Sequence, residues 1–159
     1  MKLLVFSDSH GELSHMCEAI DREHPDYVFH LGDHDRDAED LGRLYPALPI
    51  VSVRGNCDYA SDTPLVKLVP LGGFRFFLCH GHTYGVKGSL LRVSYAALEQ
   101  KADVLLFGHT HEPWLEQYGD LLQLNPGSCG YGYRPSFGRI LIEQGKISAS
   151  IELCSGSQL

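Results

Sequence analysis

The chain has no long apolar run, no excess of basic residues, no C-x-x-C pair and no low-complexity tract. Each lack closes a class of function. The opening apolar run, Leu3 to Phe6, is far too short for a signal peptide or a membrane span, so no membrane partner is expected. Thirteen Lys and Arg against twenty Asp and Glu give a formal charge of −7, without the positive footprint of a protein that tracks a phosphate backbone. Extended nucleic acid is therefore not expected as a partner. Cys17, Cys57, Cys79, Cys129 and Cys154 are odd in number and read as reduced thiols, which places the chain in the cytoplasm. With 159 residues, 43% apolar composition and no repeat at a 20 to 50 residue period, residues 1–159 are expected to form one domain with its own core.

What the chain does have is a series of short apolar runs. Leu3 to Phe6, Tyr27 to Leu31, Ile50 to Val53, Phe74 to Cys79 and Val104 to Phe107 read as strands. Residues 12–23, with Leu13, Met16, Cys17 and Ile20 at helical spacing, read as an amphipathic helix ended by His24-Pro25. Ala38 to Tyr45 reads as a weaker helix, and residues 88–100 as one whose broad apolar face holds Leu90, Leu91, Val93, Tyr95 and Leu98. The early alternation of strand and helix predicts right-handed β-α-β crossovers in a parallel sheet. Leu65 to Val69 and Phe74 to Cys79 read as a hairpin around Pro70-Leu71-Gly72-Gly73. Trp114 to Tyr118, Leu121 to Leu124, Arg139 to Glu143 and Lys146 to Glu152 read as short antiparallel strands.

At or just past the ends of the five runs stand Asp8 and His10, Asp33, Asn56, His80, and His109 and His111. Side chains at i and i+2 of extended backbone point the same way, so the pairs 8/10 and 109/111 can each aim two donors into one crevice. Sites in α/β proteins gather outside the carboxyl ends of strands. Carboxylate and amide oxygens mixed with imidazoles suit two divalent ions, Mn first, with Fe, Zn, Ni or Co as alternatives. Gly32, Gly55, Gly81 and Gly108 stand beside the ligands, where a missing Cβ permits sharp turns. Any one Asp after a strand is as readily a loop cap as a ligand; the set of seven shifts the reading to metal.

In chain order, D-x-H, G-D, G-N, H-G-H and G-H-x-H over residues 3–128 resemble the calcineurin-like metallophosphoesterase superfamily, and within it the small bacterial and archaeal phosphodiesterases. The resemblance implies a two-sheet mixed β-sandwich flanked by helices, in α-β-β-α order. It assigns Asp8, His10 and His111 to one ion and Asn56, His80 and His109 to the other, with Asp33 bridging. It also implies attack by a hydroxide shared between the ions, whose phosphate-clamping role is general to two-metal sites. Many members have G-N-H-[DE] where this chain reads Gly55-Asn56-Cys57-Asp58. The usual leaving-group histidine is missing, so a small phosphodiester is expected over an alkyl monoester. Asp33, Asn56 and His82 are the candidate catalytic residues; Asn56, His82, Arg54 and Arg134 are the candidate substrate contacts. Asp58 is weighed as a proton shuttle.

Plainer readings stand beside these. His15, His24, His30 and His34 have no assigned role, the stretch Asp33 to Asp40 lacks calcium-loop spacing and reads mostly as a solvated helix start, and Cys57 and Cys129 read as packing thiols. Asn125-Pro126-Gly127-Ser128 resembles a pocket-shaping turn of the family. Tyr131, Tyr133 and Phe137 form either a substrate-facing wall or an oligomer contact, so a homo-oligomer is one expectation. The metallo-β-lactamase pattern H-x-H-x-D-H is absent, and an amidohydrolase barrel needs about 250 residues. The alternative to an enzyme is a non-catalytic, metal-binding scaffold for protein interaction, the use that the related eukaryotic retromer subunit makes of the fold.

Overall fold

Leu3, Leu4, Val5 and Phe6 lie in strand β1 (Lys2–Phe6) and are all fully buried, as a run without alternation requires. The computed structural model describes residues 1–130 and 132–156. In it β1 pairs in parallel with β2 (Tyr27–His30), which pairs in parallel with β3 (Ile50–Ser52). Helix α1 (Leu13–Glu23) makes the first crossover and ends on His24 in a left-handed conformation, just before Pro25 blocks continuation. Helix α2 (Asp35–Leu44) makes the second. The other side of β1 is closed by antiparallel β9 (Ser136–Glu143) and β10 (Lys146–Leu153), giving the order β10-β9-β1-β2-β3.

A second mixed sheet holds the middle of the chain. Strands β4 (Val66–Leu71) and β5 (Phe74–Cys79) form the expected hairpin around Gly72-Gly73. Helix α3 (Leu91–Glu99) leads to β6 (Val104–Leu106), and a hairpin of β7 (Pro113–Tyr118) and β8 (Leu121–Pro126) completes the order β4-β5-β6-β8-β7.

Alternation now decides the layers. Leu3 and Val5 of β1 meet Phe76, Leu78 and Leu106 of the facing sheet in a shared core, whereas Leu4 and Phe6 point outward under α1 and α2. Phe77 and Leu105 point the other way, under α3. The result is the expected α-β-β-α sandwich. Phe29 and Phe76 bridge the sheets with ring centroids 5.5 Å apart, and each such buried side chain contributes about 1.5–3 kcal/mol.

Two expectations change. Helix α2 starts at Asp35 rather than Ala38, because the Asp58 carboxylate accepts the His34 and Asp35 backbone N–H groups and so caps the helix from another loop. Asp35 and Asp37 are consequently buried, not solvated. On α3 the buried residues are Val93, Ser94 and Ala97, with Leu90 packed beside them, while Leu91, Tyr95 and Leu98 are exposed, so only part of the expected apolar stripe faces the core. Small residues at 93, 94 and 97 let the helix lie close on the sheet. No helix among the described residues is long and apolar enough to cross a membrane.

Candidate metal centre

The loops after β1, β2, β3, β5 and β6 meet at one end of the sandwich and bring together all seven expected ligands. Ligating atoms of Asp8, His10, Asp33 and His111 lie within 4.8 Å of one another, and so do those of Asp33, His80 and His109. Asp33 belongs to both groups. Asn56 joins the second, with Oδ1 3.1 Å from His80 Nε2.

The backbone departs from the extended form expected of the 8/10 and 109/111 pairs. Asp8, His10, Asp33, His109 and His111 all have φ between 48° and 69°, in the left-handed region. Asp and His tolerate that region better than most residues, yet each such position still costs on the order of 1–2 kcal/mol. Ligands are thus aimed by tight turns rather than by strand alternation. The turns also pack closely: a Cβ on Gly55 would stand 2.1 Å from Asp33 Oδ1, and one on Gly108 would stand 1.9 Å from Ser7 Oγ.

Surrounding groups fix how each ligand faces the centre. Asp8 Oδ2 accepts Ser7 Oγ–H at 2.5 Å and the His109 N–H at 3.1 Å. Its buried Oδ1 has no well-formed hydrogen bond among the described residues, and it faces His111, His80 and His10 Nε2 at 3.1, 3.8 and 4.0 Å. His80 Nδ1–H donates to Leu31 O at 2.8 Å, which turns Nε2 toward Asn56 Oδ1 and toward Asp33 Oδ2 at 3.4 Å. Oxygens from carboxylates and an amide and nitrogens from imidazoles therefore converge on shared space. A divalent cation resolves that crowding, and the donors fit hard-to-borderline ions.

The charges show the same crowding. Burial pushes the Asp33 carboxyl up, but its hydrogen bonds from His80 and the Cys57 N–H outweigh this and hold it well below the usual carboxylate range. Asp8 is likewise lowered, as contacts with His111, His80 and Ser7 overcome burial. Burial lowers His80, yet the two aspartates raise it above an ordinary imidazole. Burial, then His80 and Lys87, bring His109 down to about 4.

The structure sorts the remaining candidates. His82, at the start of a 3₁₀ turn (His82–Tyr84), has its ring 5.4 Å from that of His80 and 6.1 Å from that of His109, and its buried Nδ1 has no hydrogen-bond partner among the described residues. Arg54 follows β3, donates from Nη1 to Ser61 O at 2.9 Å, and is close enough to lower His82 after burial and His80 have done so. Arg134 is exposed just before β9. Phe137 is fully buried against Phe6 and forms no wall, because its place on β9 faces α1. Tyr133 is fully exposed, and Tyr131 lies outside the described residues. Loss of water around the thiol, then contact with Asp33, push Cys57 up to about 11, so it is a neutral thiol at physiological pH.

Asp58 is not placed as a proton shuttle. Its two oxygens accept four backbone N–H groups, from Asp33 (3.0 Å), His34 (2.8 Å), Asp35 (3.0 Å) and Gly55 (2.7 Å), and so lock the loop carrying Asp33 to the loop carrying Asn56. A similar clamp passed unnoticed in the sequence. Ser9, buried between two ligands, donates to Asp37 Oδ2 at 2.6 Å and contacts His30 Nε2 at 2.9 Å, while Gly11 N–H donates to the same Asp37 oxygen. Asn125 spans from β8 to the Gly108 carbonyl and Thr110 Oγ1 at 3.0 and 2.9 Å, and Ser128 Oγ–H donates to Asp8 O at 2.8 Å, consistent with a pocket-shaping turn. Only the acidic cluster and the N-P-G-S run signalled these roles.

Known proteins agree with the geometry. The model of the calcineurin-like phosphoesterase superfamily domain matches residues 1–144. The chain is 39% identical to a probable metallophosphoesterase, YsnB, of Bacillus subtilis, over 80% of this chain and 75% of that one. It is 34% identical to the phosphodiesterase YfcE of Escherichia coli, over 80% of this chain and 79% of that one. A crystal structure from Streptococcus pneumoniae, described as a predicted phosphoesterase, superposes with a TM-score of 0.80 at 29% identity, covering 99% of this chain and 92% of that one. By sequence, fold and ligand geometry together, the chain belongs to the calcineurin-like phosphoesterase superfamily and has the make-up of a metal-dependent phosphoesterase.

Proposed function

We propose that the protein is a phosphodiesterase working with two divalent ions, and that Asp33, common to both ligand groups, is the residue that joins them. That shared carboxylate is the observation that carries the reading. Asp8, His10 and His111 would hold one ion, and Asn56, His80 and His109 the other. When bound, such ions supply Lewis acidity, acidifying water and polarising phosphate oxygens.

The chain's own residues supply position. Asp58 and Asn125 hold the loops that carry the ligands, so little reorganisation is needed when substrate arrives. The exposed edge of His82 offers a donor to a non-bridging phosphate oxygen, supported by its unused buried Nδ1. Arg54 adds positive charge beside it. Cys57, a neutral thiol, is a poor proton donor for an alkoxide leaving group, which favours diesters with good leaving groups over alkyl monoesters. The similarity to the E. coli phosphodiesterase supports the same preference.

The test is hydrolysis of bis(p-nitrophenyl) phosphate with added Mn²⁺, by the wild type and by Asp33→Ala, together with metal counting on both. Two ions per wild-type chain and loss of turnover in the variant are expected. Equal rates would replace the enzyme by the scaffold reading, and a higher kcat/KM for alkyl monoesters than for aryl diesters would overturn the diester preference.

A further inference from the structure

A cavity of about 430 Å³ lies beside the imidazole side of the centre, between the loop at 86–90 and the turn at 110–114. Val86, Leu90, Phe107, Pro113 and Trp114 give it apolar walls, and Lys87, Ser89, Thr110 and Glu112 a polar rim in which the two charges are of opposite sign. Two of its residues abut the centre directly. Thr110 stands between the ligands His109 and His111. Val86 packs on Gly81, the residue between His80 and His82, so closely that a Cβ on Gly81 would meet its side chain at 2.8 Å. Lys87, on the same rim, is exposed, and its charge reaches both His109 and His111.

The cavity on the opposite flank is larger, about 720 Å³, and has a different character. His34, Asp35, Arg36, Glu39, Asp58 and Asp62 make it polar and mostly acidic. A phosphate monoester would need only one such neighbour. A diester has a second organic arm, and an apolar recess beside a cation suits an uncharged, flat one.

We propose that the cavity bounded by Val86, Leu90, Phe107 and Trp114 is the subsite for an aromatic arm of the phosphodiester, with Lys87 on a non-bridging phosphate oxygen. The inference rests on the phosphodiesterase reading and names the class of substrate: aryl or heteroaryl diesters. The volume falls within the usual range for small-molecule pockets. Trp114 presents a partly exposed indole to the cavity, and an aromatic ring gains most from stacking on such a face. The Thr110 hydroxyl adds little polarity, since it is occupied by Asn125, Glu112 N–H and Glu112 O. Lys87 supplies a point charge where a bidentate fork is not required.

Trp114 is the sole tryptophan, so the subsite carries its own reporter. Its emission, excited at the red edge, is followed during titration of the intact protein with diphenyl phosphate and with dimethyl phosphate. A saturable change with the diphenyl ester and none with the dimethyl ester is expected, and Leu90→Asn should weaken the diphenyl response about tenfold. In the Mn²⁺-loaded enzyme, Trp114→Ala should raise KM for bis(p-nitrophenyl) phosphate about tenfold with most of the loss in KM rather than kcat, while Trp114→Phe should restore it to within about threefold. Equal responses to the two esters, or an unchanged KM in Trp114→Ala, would overturn the subsite while leaving the phosphodiesterase intact. Conversely, a saturable diphenyl response in a protein that hydrolyses no diester with any divalent ion would sink the function but retain an aryl phosphate site.

Discussion

The two flanks of the centre are held in place by different chemistry. Asp33 and Asn56 ride on loops joined by a single carboxylate, Asp58, that gathers four backbone N–H groups. His109 and His111 ride on a turn held mainly by one neutral amide, Asn125, through two donated hydrogen bonds, with a single carboxylate contact, His109 N–H to Asp8 Oδ2. Charge-assisted bonds are about twice as strong as neutral ones, so the carboxylate flank is the stiffer. The stiff flank borders the polar cavity and the looser one borders the apolar cavity. Precision is concentrated where the ions must be shared, and adaptability is left where an organic group of variable shape would sit.

The comparison breaks most severely at the residue common to both halves. Asp33→Ala should lower kcat/KM for an aryl diester by at least about 10³-fold and remove at least one ion per chain, as read by elemental analysis. Asp58→Ala should come next. It leaves four N–H groups without their acceptor, so denaturant titration of the metal-free protein should show a loss of roughly 3 kcal/mol, and Mn²⁺ affinity should fall about 10–100-fold. If Asp58→Ala lost activity at unchanged stability and metal affinity, the clamp would be wrong and a chemical role restored. Asn125→Ala should be milder, about 1–2 kcal/mol and about tenfold in affinity, with the effect confined to the imidazole flank. An Asn125 effect larger than that of Asp58 would reverse the ranking of the two flanks.

A smaller effect sharpens the picture through pH. His30 is fully buried beneath the carboxylate flank, and burial lowers its pKa below the ordinary value of about 6.5. The unfolded chain therefore binds more protons between the two pKa values, so His30 makes stability rise with pH and fall as pH drops below about 6.5. Metal-free His30→Gln should show a shallower loss on acidification than the wild type. An identical slope would mean that His30 is not the group responsible.

Much of this was written plainly in the chain. Runs such as Leu3 to Phe6 and Phe74 to Cys79 announce strands because they are covered on both faces, and a ligand at the end of each run places the site at one end of the sheet. The supporting roles were harder to read because they depend on pairs distant in sequence. Nothing local to Asp58 says that it caps a helix starting at Asp35, and nothing local to Asn125 says that it spans to Gly108. The outward stripe of α3 misled for the opposite reason: periodicity reports an amphipathic helix, but close approach to the sheet selected Val93, Ser94 and Ala97 over the bulkier Leu91 and Tyr95.

The left-handed turns at Asp8, His10, Asp33, His109 and His111 have a bearing on how such centres change over time. Glycine aside, the residue types that accept this backbone shape with least difficulty, chiefly Asn, Asp and His, are also oxygen and nitrogen donors. Conformation and coordination thus filter mutations through the same narrow alphabet. Exchanges among those three can retune ion preference without remaking the loops, whereas a switch to β-branched residues, or to the longer reach of Glu, meets a steric obstacle before any bond to a cation is formed.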